Sequence, residues 1–257
     1  MNGKLSLVFS FILLTFLATT ISLADLADGL VSYWPMNGNT NDIVGGNNGN
    51  IIDNVTFVND GERGEVLSPD GVGGHMEVPN ADNIAFISDM NLSISLWVKP
   101  SSLPRSVWTT IFAKNRDVHY NNAYGMWIST NNNFHFRVGT ASGDGTIAVS
   151  EGWHHLTMRH DPSITTLQGF VDGQMAYNNT SASPGTLGDT ELRVGASKNH
   201  ETKLIFEPYP GLIDDLAIYN RALDDTEIQE LASGAKIPAA VEPGAKLATA
   251  WGSIKSQ

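Results

Sequence analysis

The sequence predicts an all-β fold of the sandwich or barrel kind, and three observations carry that expectation. Short runs of alternating apolar residues recur between clusters of Gly, Asn, Asp and Ser, the pattern of strands joined by tight turns. A single segment, Asp224 to Ser233, has the caps and spacing of a helix. Cysteine is absent, so neither disulfides nor thiolate metal sites assist the fold, and a core must come from apolar burial. A β domain of roughly 200 residues can bury enough for this.

The elements follow in chain order. Lys4, the apolar run Leu5 to Leu17 and the small-residue stretch Ser22-Leu23-Ala24 have the three parts of a secretory signal peptide, here residues 1–24. The run is too short and too interrupted by Ser and Thr for a permanent span of ~20 residues. Cleavage after Ala24 gives an exported chain starting at Asp25. Strands are expected at Leu30–Met36, Glu65–Leu67, His75–Val78, Leu92–Lys99, Thr110–Lys114 and Tyr124–Ser129. Further strands are expected at Asn133–Thr140, His154–Asp161, Thr166–Val171, Glu191–Ala196 and Gly211–Tyr219. Asp172-Gly173 is a two-residue hairpin signal. In the helix, Asp224 is placed to cap, Glu227 to complete a capping box, Gly234 to end it, and Ile228 with Leu231 to dock it. The domain therefore spans 25–234. Residues 235–257 form a Pro/Ala linker and a tail in which Leu247, Trp251 and Ile254 have helix-like spacing.

The chain carries 15 basic and 27 acidic residues, and loss of Lys4 with the signal segment takes the net charge from −12 to −13. This balance argues against nucleic acid or an anionic membrane as partner, because both are met with basic patches. It suits an extracellular protein and divalent cations.

Five segments in order resemble one family. They are Leu30 to Asn39 with the loop Asn41 to Gly49, Leu92 to Pro100, Gly152 to Met158, Gly169 to Gly173, and the closing run Gly211 to Leu223. Together they resemble the laminin-G-like jelly roll of the concanavalin A-like lectin/glucanase superfamily over residues 29 to 233. The resemblance implies a two-sheet antiparallel jelly-roll sandwich, frequent sugar binding and often a structural calcium ion.

Strand alternation puts Leu212, Asp214, Leu216 and Ile218 on one face, so a buried Asp214 charge needs a partner. With the first and last strands adjacent in such a jelly roll, Asp42 and Asp214 are expected to hold Ca2+, assisted by Asn37, Asn39 and Asn47 of the Asx/Gly-rich loop. The alternative is that the Asx residues make turns and Asp214 accepts loop N–H groups. His154 and His155 point to opposite faces and are expected to be structural. Trp97 and Trp127 are expected to fill the sandwich.

Retaining and inverting glycosidases need a facing pair of carboxylates. The strand Leu212-Ile213-Asp214-Asp215-Leu216 offers one inward acid flanked by leucines, so no catalytic residues are expected. A ligand-binding region is expected where aromatic and polar groups concentrate, at Trp108, Arg116, His119, Tyr120, Asn122 and Tyr124. The chain thus reads as a secreted, non-catalytic module for a glycan or glycoprotein. An adhesive module for another surface protein is the alternative, and a glycoside hydrolase of the same fold stands behind both.

Overall fold

The structure is a computed structural model describing residues 25–85, 90–101, 106–114, 124–180, 190–199, 202 and 204–237. The expected signal segment, the tail after Ile237, and Arg116, His119, Tyr120 and Asn122 lie outside these residues.

The first strands are β1 (Leu30–Trp34), β2 (Asn50–Ile52), β3 (Thr56–Asp60), β4 (Gly64–Ser68), β5 (His75–Val78) and β6 (Leu92–Pro100). After them come β7 (Thr109–Lys114), β8 (Tyr124–Ile128), β9 (Asn133–Val138), β10 (Ala141–Ala148), β11 (His154–Asp161) and β12 (Thr166–Val171). The chain closes with β13 (Gln174–Asn179), β14 (Leu192–Val194), β15 (Ser197–Lys198), β16 (Ile205–Phe206), β17 (Gly211–Tyr219) and the helix α1 (Asp225–Ala232).

Two antiparallel sheets hold nearly all of these strands. One runs β13-β12-β11-β6-β17-β4-β3, with β1 also paired to β17; the other runs β10-β9-β8-β7-β14-β5-β2. Alternate residues of both sheets, such as Ile94, Leu96 and Val98 against Phe134, Phe136 and Met126, meet in one buried cluster. Burial of these faces is the main stabilising term, at about 25 cal/mol per Å² of apolar surface.

The helix forms as the sequence requires. Asp224 accepts from the Glu227 backbone at 2.9 Å, and the Glu227 side chain accepts from the Asp224 N–H at 2.8 Å. Ile228 and Leu231 then pack on the outer face of the first sheet in a second apolar cluster with Tyr33, Ala217 and Tyr219. Arg159 secures the approach, donating to the Leu223 carbonyl at 2.7 Å and pairing with Asp225.

Three expectations are corrected here. Asp214 does not share the inward face of Leu216 and Ile218. The β17–β6 register shifts between Asp214 and Ala217, and Asp215 sits at φ 51°, so a bulge intervenes. Ile213, Leu216 and Ile218 enter the core, while Asp214 stands opposite Trp97 on the outer face. Trp97 is accordingly not a sandwich filler, since Leu96 and Val98 take the inward positions. Trp127 is buried, yet it too lies outside the sandwich core, beside His135 on the outer face of the second sheet.

Candidate functional site

Trp108 directly precedes β7 and floors a groove of about 620 Å³ whose walls include Val107, Thr130, Glu207 and Pro208. Its ring stands edge-on to His135, with centroids 4.8 Å apart. A chain of bonds fixes that support. The His135 Nδ1 lies 2.7 Å from Asp144, whose other oxygen accepts from Ser129 at 2.8 Å and Asn131 at 2.9 Å. Burial pushes the Asp144 carboxyl upward, but the bonds from Asn131, His135 and Ser129 outweigh it and hold the group ionised, below the usual carboxylate range. Along the same groove Glu207 accepts from the Thr110 hydroxyl at 3.1 Å. The arrangement is an apolar ring with polar groups at its rim, which is how small-molecule sites gain both area and orientation. Tyr124, expected to touch a ligand, is instead fully buried, and its hydroxyl donates to the Ile84 carbonyl at 2.9 Å.

A second concavity, about 520 Å³, opens on the outer face of the first sheet beside β17. Arg63, from the turn between β3 and β4, reaches across it. Its Nε donates to Asp214 at 2.7 Å, its terminal nitrogen pairs with Asp215, and its guanidinium lies 4.3 Å over the Trp97 ring. The bulge makes this clamp, because it turns two successive acids toward one side. Tyr33 donates to Asp215, and burial reinforced by the Asp215 charge raises its phenol well above the usual range. Burial, then repulsion from Asp215, overcomes the attraction of Arg63 and pushes the Asp214 carboxyl up to about 7. Below Trp97, His155 shares a hydrogen bond with Ser95 at 2.8 Å, and burial pushes its imidazole down to about 3.

A family model described as the concanavalin A-like lectin/glucanases superfamily matches residues 70–229. This chain belongs to that superfamily. No curated protein matches the chain. Among solved structures, domain 4 of AbnA, a GH43 extracellular arabinanase from Geobacillus stearothermophilus in complex with arabinotriose, is similar with TM-score 0.60 and 21% identity; 79% of this chain and 98% of that one are covered. The binding domain of botulinum neurotoxin DC, in complex with rat synaptotagmin II, has TM-score 0.63 and 15% identity over 82% of this chain and 52% of that one. A Trypanosoma rangeli sialidase has TM-score 0.61 and 18% identity, with 81% of this chain and 33% of that one covered. The chain thus spans about half and a third of the latter two, and at these identities the likeness is one of fold.

Superfamily membership raises the question of calcium, and the loop residues answer it. The Asp42 carboxylate accepts from the backbone N–H groups of Tyr33, Val44, Gly45 and Asn47 at 2.9 to 3.0 Å, and from the Asn47 side chain at 3.1 Å. Five donors use the lone pairs a cation would need. Asn47 also donates to Ser32 at 2.8 Å, while Asn39 bonds the Asn37 carbonyl and the Asn41 N–H in a local turn. Asp214 shares none of these partners and is answered by Arg63. Of the other expected ligands, Asn37 lines the Asp214 pocket and Asp42, Asn39 and Asn47 do not. As placed, these residues do not fit one calcium ion shared by Asp42 and Asp214, and the loop follows the turn-making alternative. That alternative is itself half right, because a guanidinium rather than loop amides meets Asp214.

Sequence reasoning missed Arg63, Tyr33, Asp215, His135, Asp144 and Glu207. Arg63 carried a usable signal: it is one of few cations in an acidic chain, and the buried strand acid needed a cation. His135 and Asp144 carried none, since their pairing depends on the β9–β10 register.

Proposed function

We propose that this chain is an exported, non-catalytic module that binds carbohydrate or glycoprotein in the groove over Trp108. The observation that carries the reading is the half-buried Trp108 ring, braced by His135, with Glu207 and Thr130 beside it. A pyranose or furanose presents a C–H face that stacks on such a ring, while its hydroxyls bond a carboxylate and a threonine hydroxyl. The arabinotriose complex of the similar arabinanase domain supports a glycan in this fold. Glu207 is the one acid among the described residues lining the groove, so hydrolysis by a facing carboxylate pair gains no support there.

The adhesive reading draws on Val107, 56% exposed in the same groove, and on the synaptotagmin-bound neurotoxin domain. An array of plant, bacterial and animal glycans separates the two. Specific retention of an oligosaccharide by the wild type, with loss in Trp108→Ala, is the expected outcome. Retention undiminished in Trp108→Ala would overturn the site, and an array without any bound glycan would favour the protein partner.

A further inference from the structure

We propose that the pocket beside β17 binds a ligand carrying a primary ammonium group, seated against Asp215 and Glu62 next to the Arg63 clamp. The site is separate from the Trp108 groove and stands or falls independently of it. The charge balance comes first. Glu62, Asp214 and Asp215 line the pocket against Arg63 and Lys236, and Lys99 just outward is shared between Asp60 at 3.0 Å and Glu62 at 3.4 Å, so that with every acid ionised one negative charge is in excess.

One oxygen of the deep acid also goes unmet. The Asp214 side chain is only 4% exposed and lines the pocket, yet while Arg63 holds its Oδ2, its Oδ1 has no hydrogen-bond partner among the described residues. Arg63 supplies one cation to two carboxylates and cannot neutralise both. An added positive charge lowers the cost of keeping them ionised together.

The walls already show a taste for cations. The Arg63 guanidinium lies over Trp97 and 5.4 Å from the Trp153 ring centroid, while the Lys99 ammonium lies 5.9 Å from the same ring. A divalent ion is a poorer match, because Arg63 already holds one oxygen of Asp214 and one of Asp215 and Tyr33 holds the other oxygen of Asp215, which leaves single lone pairs suited to N–H donors rather than bare carboxylates. The remaining space, with Asn37 along it, has room for more than the ammonium itself. Amino sugars and lysine side chains share this chemistry.

Calorimetric titration of the purified protein with glucosamine, glucose and Nα-acetyl-lysine amide tests the assignment. At least one ammonium compound is expected to bind, about tenfold or more tighter than glucose and less tightly at high salt. Asp215→Asn is expected to weaken that binding about tenfold, whereas Trp108→Ala leaves it unchanged. Should Asp215→Asn fail to fold, Glu62→Gln at an exposed side chain gives the same reading. Binding of glucosamine alone assigns an amino sugar and binding of the lysine amide alone a peptide, both within the proposal. Equal affinity for glucose, no binding of either ammonium compound, or full affinity in Asp215→Asn (in Glu62→Gln, should that variant stand in) would overturn it.

Discussion

Arg63 Nε donates to Asp214 Oδ2 across 2.7 Å, joining residues 151 positions apart. The contact ties the exposed β3–β4 turn to the bulge in β17, and it meets the one strand acid whose charge the sequence left unanswered. Its geometry explains why two neighbouring carboxylates can share a half-buried wall.

Removal of the guanidinium leaves Asp214 buried beside a like charge. Arg63→Ala is expected to cost about 3 kcal/mol at pH 8, at the lower end for broken buried pairs because Arg63 is partly exposed. Urea denaturation of Arg63→Ala and of Arg63→Ala/Asp214→Asn checks this, with the second variant recovering most of the loss. The deficit of the single variant is expected to shrink at pH 5, where Asp214 takes up a proton.

The Asp214 carboxyl itself imposes a pH dependence. Its folded pKa, about 7, exceeds the ordinary 3.8, so between these values the folded state binds the proton more firmly than the unfolded one. Stability from this group is therefore greatest at low pH and declines as pH rises from about 4 to about 7. Urea midpoints measured between pH 4.5 and 8 should show this downward contribution in the wild type and its absence in Asp214→Asn.

Asp42 stabilises the first loop by collecting amide donors. Asp42→Ala is expected to cost about 2–4 kcal/mol, because several N–H groups lose their acceptor together. The loss should be the same in excess calcium and in excess chelator, measured as the shift in urea midpoint. Asp42→Asn, with one acceptor oxygen left, should fall between the alanine variant and the wild type.

The capping box gives a local test. Asp224→Ala is expected to cost about 1 kcal/mol, the usual value for such a cap. Thermal unfolding checks it, and the Asp214 pH dependence should persist unchanged in this variant.

Most strands were legible because one side of each faces the core and its apolar residues alternate. The strands with no counterpart in the sequence reading include β2, β3, β10 and β13, and these end the two main strand runs. An edge strand has one neighbour to satisfy, so polar and small residues such as Ala141-Ser142-Gly143-Asp144 suffice there. The helix was legible to its caps because Asp224 and Glu227 act within four residues. The bulge was not, because Asp215 adopts φ 51° under tertiary control, and one inserted position reverses which face every later side chain takes. At the Trp108 groove the aromatic was visible in sequence, but its brace, His135 held by Asp144, exists only through pairing between strands.

The pairing of β1 with β17 has a mechanical consequence. Leu30 lies opposite Tyr219, so the chain enters and leaves the sandwich at one point, where Arg221 also holds the Asp28 carbonyl at 2.8 Å. Tension applied between the two ends would load this pair from its open end and break its bonds one after another, rather than shearing the whole ladder at once. A molecule of this build yields gradually when pulled by its termini.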